Sequence, residues 1–244
     1  MAEKIVTASG KGGVGKSTTA AAIGMILSES GLKTLLIDCD AGLGSIDVLL
    51  GKSEEAAFNW MDVYKKNCSF ENALININDF LSLLCAPSVK PEDADEDCLK
   101  DVVIPIEEKF DYIIFDAPAG IGAGLRRAAS AADSAIIIAT ADEVSVRGAD
   151  KTDAILRDAG INETRLIINR YSVKDAKKGK LLSIDEAINK TRVRLLGVIP
   201  EDKEISCYSV TGKVSKKSRS LAAFRRVADR IQGKNVKLTL SLIK

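Results

Sequence analysis

No histidine occurs anywhere in the 244 residues, and the five cysteines, Cys39, Cys68, Cys85, Cys98 and Cys207, form no C-x-x-C pair. A zinc site built from the usual nitrogen and sulfur ligands therefore has little to draw on. The scattered thiols read as small buried side chains of a reducing compartment, with an iron–sulfur cluster shared between two subunits as the sharper alternative. Charge of one sign is also lacking: 35 basic against 34 acidic side chains leave +1. No global field then draws in nucleic acid or an acidic surface, and any such affinity has to come from a local patch. No apolar run approaches the roughly 20 residues that span a bilayer, and "MAEKIVTASG" has neither the apolar core nor the cleavage site of a signal peptide. The expectation is a cytoplasmic chain, with attachment at the inner face of the cell membrane left to its tail. Aromatic residues make up 5% of the chain, and its one tryptophan, Trp60, stands in the helix-like "FNWMDVYKK". On such a stripe it reads as core rather than as a platform for a base.

What is present is apolar and regularly spaced. With 46% hydrophobic residues, the length suits one α/β domain over residues 1–244. Short β-branched runs recur at Lys4 to Ala8, Lys33 to Asp38, Phe80 to Ala86, Tyr112 to Pro118, Ser134 to Thr140, Arg165 to Arg170 and Leu195 to Pro200. Runs apolar on both faces imply strands buried on both faces, hence a mainly parallel sheet. Helix-length stretches separate them. "STTAAAIGMILSES" is rich in helix formers and stops at Gly31, while the acidic "KPEDADED" suits a helix entry. The alternation predicts a doubly wound α/β fold with ligands at the carboxyl ends of its strands. Gly51 to Asn78 is less regular, and no linker or repeat marks a boundary.

One stretch carries chemistry of its own. Gly10-Lys11-Gly12-Gly13-Val14-Gly15-Lys16-Ser17 fits G-x-x-x-x-G-K-[ST] between a predicted strand and a predicted helix. Glycines allow a nest of backbone N–H groups around phosphate oxygens, at a helix start whose dipole favours anions. Lys16 is placed to reach the outer phosphates, Ser17 to offer a hydroxyl to Mg²⁺, and Thr18 a further hydroxyl or N–H to the inner phosphate. Independently, "YIIFDAPAG" ends a strand with Asp116, and "LLIDCDAG" puts Asp38 and Asp40 at the end of another. Two residues apart on an extended chain, these two share a face. A pair of that kind suits one carboxylate polarising water and the other helping to hold a metal shell.

"KGGVGKST", "LLIDCDAGLGSIDVLLG", "FDYIIFDAPAGIG" and "LLGVIPED" closely resemble the MinD and ParA group of P-loop ATPases with a deviant Walker A motif, its MinD members in particular. The resemblance runs from about Lys4 to Asp202 and includes "ADEVSVRGADKT", "LIINRY" and "KLLSIDEAI". It implies an ATP hydrolase, dependent on ATP and Mg²⁺, that forms an ATP-dependent homodimer. Lys11 then matches the signature lysine, which crosses the dimer interface to the nucleotide of the other subunit; a second cation there would stabilise charge building on the departing phosphoryl group. Asp40 matches the switch I aspartate that orients the hydrolytic water, and Asp116 the Walker B aspartate, with switch II in "APAGIG". The metal set carried over is Ser17, Asp38, Asp40 and Asp116. Asn169 and Arg170 fall at the adenine-reading strand end, with Pro200, Glu201 and Asp202 in the loop bordering the base.

The cellular task implied is septum-site placement, with a MinC-like or MinE-like regulatory partner. A DNA-binding partitioning ATPase, a flagellar-number regulator and a metal-insertion ATPase of the same group are the alternatives. The end of the chain departs from the membrane-binding amphipathic helix of MinD proteins: Val236, Leu238, Leu240 and Leu242 alternate with Lys237, Thr239 and Ser241. A period of two suggests that residues 236–244 form an extra strand or a partner-binding tail. Basic clusters at Lys213, Lys216, Lys217 and Arg219, and at Arg225, Arg226 and Arg230, offer a surface for DNA backbone or simply a solvated face.

Overall fold

The computed structural model describes residues 1–91, 94–202 and 218–237. Cys207, Lys213, Lys216, Lys217 and the alternating tail from Leu238 onward lie outside the described residues. One sheet gathers eight strands: β1 (Glu3–Ala8), β2 (Thr34–Asp38), β3 (Leu74–Asn78), β4 (Leu81–Leu84), β5 (Tyr112–Asp116), β6 (Ser134–Ala139), β7 (Glu163–Tyr171) and β8 (Arg194–Pro200). Their order is β3-β4-β2-β5-β1-β6-β7-β8, and every pairing is parallel except that of β3 with β4. The edge strand β3 lies in the stretch that looks irregular in sequence. Its "LININ" alternates apolar and polar because only one face is covered.

Burial on both faces follows from alternation along single strands. Leu35, Ile37, Ile113, Phe115 and Ile137 enter one apolar layer, while Leu36, Ile114, Ile136 and Ile138 enter the other. Each such side chain withdrawn from water contributes about 1.5–3 kcal/mol. The first layer is closed by helices α3 (Trp60–Tyr64), α5 (Cys98–Val103), α6 (Ala123–Ser130), α7 (Glu143–Asp158) and α9 (Ile184–Thr191), the second by α1 (Lys16–Glu29), α2 (Ile46–Leu49) and α10 (Arg219–Ile231). The short α4 (Phe70–Ala73) and α8 (Val173–Lys177) complete the set among the described residues. Trp60 is wholly buried, as its place on an apolar stripe predicts. Cys39, Cys85 and Cys98 are buried and Cys68 half-buried, all free thiols. Burial pushes Cys85 up to about 12 and Cys98 to about 11, which keeps both protonated and inert.

The strand order places a topological switch beside β1: the chain moves from β1 to β2 on one side, then crosses from β5 past β1 to β6 on the other. In open α/β sheets the crevice over such a point is where ligands bind. Here the loop from β1 to α1 fills it. That loop is held from below by α7, whose Gly148 backbone approaches Gly10 so closely that a Cβ on Gly10 would lie 2.3 Å from the Gly148 carbonyl oxygen. Gly10→Ala must therefore displace helix backbone. The expected loss is about 2–3 kcal/mol of stability, read as a lowered urea midpoint at unchanged slope; an unaltered midpoint would show that the contact is not tight.

Candidate functional site

Glycines set the shape of the loop. Gly13 (φ 73°) and Gly15 (φ 92°) adopt left-handed conformations, which side chains with a Cβ disfavour. Gly15 caps the start of α1 with no side-chain hydrogen bond to that helix end, leaving backbone donors available to an anion. The outer wall is held by β7. Asn169 Nδ2 donates to the Val14 carbonyl at 2.8 Å, and the Arg170 guanidinium donates to the Gly13 carbonyl. Arg170 itself has φ 52°, an uncommon conformation for a non-glycine residue and one that clusters at functional sites.

Three strand ends meet beneath the loop. Parallel register puts Asp116 beside Thr7 on β1 and beside Asp38 on β2. Lys16 folds inward, its Nζ 2.8 Å from Asp116 Oδ1 and 3.4 Å from Ser17 Oγ. Thr7 Oγ1 donates to the same Asp116 oxygen at 3.0 Å. Asp116 is 0% exposed, and its Oδ2 has no hydrogen-bond partner, so a buried acceptor with capacity to spare stands beside Lys16. Asp38 is used differently. Its carboxylate accepts N–H groups from Asp40 (2.9 Å), Ser45 (2.8 Å) and Ile46 (3.1 Å), fixing both ends of the loop that carries Asp40. Burial, reinforced by the charge of Asp116, raises the Asp38 pKa against those three bonds.

A cleft of about 430 Å³ opens over this arrangement. Gly13, Gly15, Lys16, Ser17 and Thr18 line it from the loop and α1, Asp40 from the β2 end, and Asn169, Arg170, Pro200 and Asp202 from the far wall. These sequence-predicted residues are thus brought together. Glu201 is not among them: it is exposed, and its N–H holds the Tyr171 carbonyl at 3.1 Å. Val14 is buried in the apolar layer, contributing its backbone rather than its side chain. Gly12 and Lys11 sit on the exposed rim. Ala119, within "APAGIG", also lines the cleft, and sequence reasoning missed Ser9, Ser45, Leu49, Ile199, Ser220 and Phe224, which complete the lining; the last two come from α10 and no local motif announces them.

Lys11 is the exposed cation of the rim, with Nζ 3.3 Å from Asp142 Oδ1. Asp142 also caps α7, accepting from Ser145 N at 3.0 Å and Thr140 Oγ1 at 2.6 Å. Burial would raise its pKa, but those two bonds together with Lys11 bring it below the usual carboxylate value. An exposed pair of this kind contributes about 0–1 kcal/mol, so Lys11 can leave it for a stronger acceptor. An aspartate just after a strand, followed by Glu143 in a helix-forming stretch, was the N-cap signal that could have identified Asp142.

The donor set fits a magnesium nucleotide. Among the described residues no group of three or more acidic or thiol side chains is gathered to hold a metal ion. Mg²⁺, however, needs only one or two protein oxygens besides phosphate and water. Ser17 and Asp40 line the cleft, and Asp116, buried beneath the loop, has the unpartnered Oδ2.

The family of CobQ/CobB/MinD/ParA nucleotide-binding domains matches residues 5–215. The septum site-determining protein MinD of Bacillus subtilis is 35% identical over 98% of this chain and 92% of its own length. The MinC:MinD cell division complex of Aquifex aeolicus contains a chain that superposes with TM-score 0.89 at 32% identity, covering 98% of this chain and 99% of that one. The MinD of Pyrococcus horikoshii complexed with Mg-ADP superposes with TM-score 0.84 at 27% identity, covering 95% and 96%.

The buried Lys16–Asp116 pair yields a prediction independent of any ligand. Lys16→Met leaves the Asp116 carboxylate buried without its cation and should cost the nucleotide-free protein about 3 kcal/mol. Adding Asp116→Asn should recover part of that loss in urea unfolding; equal stability of wild type and Lys16→Met would contradict the pairing.

Proposed function

Because this chain belongs to the MinD/ParA family and is an ATPase of the MinD type, we propose that it works in septum placement as a spatial switch closed by ATP and opened by hydrolysis. The observation that carries the reading is the separation of its two loop lysines. Lys16 is folded onto buried Asp116, whereas Lys11 stands on the rim in a weak, exposed pair. A single subunit uses the first for its own phosphates; the second is placed to be lent to another copy.

In this reading ATP lies along the cleft with its phosphates in the loop from Gly10 to Thr18. Lys16 moves from Asp116 toward the outer phosphates, which frees the Asp116 carboxylate. Ser17, Asp116 and Asp40 would hold the metal shell, and Asp38 would serve it through the loop it braces. Bound Mg²⁺ supplies charge neutralisation on the phosphate oxygens. Asp40, projecting from a loop pinned at both ends by Asp38, orients the attacking water. Asn169, Arg170, Pro200 and Asp202 border the base; Asn169 does so while its amide nitrogen supports Val14. Lys11 of one subunit stabilises charge on the phosphoryl group held by the other, so the γ-phosphate favours the closed dimer by mass action. That every described strand joins one sheet supports reading the chain as one ATPase unit.

The similarity to a chain of the MinC:MinD cell division complex of Aquifex aeolicus supports a MinC-like partner for the paired form. Among the described residues no helix is long and apolar enough to cross a membrane. Lys11→Ala should abolish ATP-dependent dimerisation and lower turnover by at least about a hundredfold, a cost typical of losing a group that contacts the transferring phosphoryl. Asp40→Ala should keep both ATP and the dimer but hydrolyse slowly. Size-exclusion chromatography with ATP checks both, and normal dimerisation of Lys11→Ala would rule out the cross-subunit role. Co-sedimentation with anionic liposomes in ATP supports the septum reading; retention on DNA instead would assign the chain to partitioning.

A further inference from the structure

The single tryptophan is more than filler. Trp60 is 0% exposed, and its Nε1 donates to the main-chain carbonyl of Asp38 at 3.0 Å. Its own N–H donates to the Cys85 carbonyl at 3.1 Å, so it ties together the ends of β2 and β4. Asp38 is the residue whose carboxylate braces the Asp40 loop at three N–H groups. On its other side, the Arg127 guanidinium lies 6.0 Å from the centre of the Trp60 ring, within reach of a cation–π attraction. Arg127 also donates to the carbonyls of Ala94 (2.9 Å) and Asp95 (3.1 Å), which fix its position over the ring.

Arg127 belongs to α6, the helix that begins directly after the loop from Ala117 to Gly122. The join is close: a Cβ on Gly124 in the first turn would lie 2.4 Å from Pro118 Cγ, so the start of the helix packs directly on the loop. The same loop lines the cleft through Ala119 and donates from Gly120 N to the Ser9 carbonyl at 2.9 Å. A continuous set of contacts therefore runs from the loop after Asp116, through Pro118, α6, Arg127 and Trp60, to Asp38 and the Asp40 loop.

We propose that Trp60 and Arg127 are positioning residues that couple the two loops facing the triphosphate, so that Asp40 is set for hydrolysis only when the loop after Asp116 has closed. The link rests on the ATPase reading above and adds a device to it. Neither side chain lines the cleft, so both act through Asp38.

Trp60→Phe keeps the ring and removes the N–H; Arg127→Gln removes the cation. Each should lower the turnover number about fivefold, with the dissociation constant for a fluorescent ATP analogue changed by less than about twofold. The double variant should lose no more than the worse single variant, because both interrupt one connection. Arg127→Lys should restore part of the turnover. Trp60, as the one tryptophan, also reports directly: its emission should change when ATP replaces ADP in the wild type, and that change should vanish in Arg127→Gln. Multiplicative losses in the double variant, turnover unchanged in both single variants, or an emission change that survives Arg127→Gln would overturn the coupling while leaving the ATPase reading intact. A wild type that binds no ATP would overturn both.

Discussion

A buried ion pair at the end of a parallel sheet organises this molecule. Lys16 and Asp116 meet at 2.8 Å with side chains 7% and 0% exposed, where an unpaired charge would be costly to hold. Meeting there requires the β1–α1 loop to fold back over β5, which depends on the left-handed glycines Gly13 and Gly15 and on the parallel register of β1 and β5. Replacing the pair with apolar side chains would be at least as stable by the usual energetics of buried charges. Its presence makes sense as a store of function: a cation and a carboxylate kept next to each other, neither of them locked by a full set of partners.

Around that pair the site is built in tiers. Asp38 gives its carboxylate to three backbone N–H groups, which fixes both ends of the loop that carries Asp40. Thr7 adds a hydroxyl to Asp116 from the central strand. On the far side Asn169 and Arg170 hold the carbonyls of Val14 and Gly13, which fixes the outer wall of the loop. The chemistry assigned to Asp40 and Lys11 falls on two residues at the margin of the site, one on the cleft edge with its backbone held by Asp38 and one on the exposed rim.

Much of this was legible from the chain. The phosphate loop reads clearly because φ above zero needs glycine and because strand, loop and helix follow one another locally. Asp38 and Asp116 were legible as strand ends, since parallel strands present their carboxyl ends to the same side. The central strands appear where expected because burial on both faces leaves nothing but apolar runs. What escaped has a common cause in distance along the chain or in one-sided burial. The strand β3 is an edge with a solvated face, so its pattern is weak; Ser220 and Phe224 reach the cleft from a helix some 200 residues beyond the loop. Lys11 could be singled out from its extra position before the glycines, but its partner Asp142 depends on how the β6–α7 turn docks. Trp60 was recognised as core, whereas its hydrogen bond to Asp38 and its contact with Arg127 exist only once α3 and α6 pack on the same sheet face.

In the proposed switch, hydrolysis belongs to two chains together. Specific ATPase activity followed across roughly a hundredfold dilution, with the fraction of paired chains measured by sedimentation at each concentration, tests this directly. Activity per chain should fall in proportion to the paired fraction. A constant activity per chain at dilutions where the protein sediments as single subunits would contradict it.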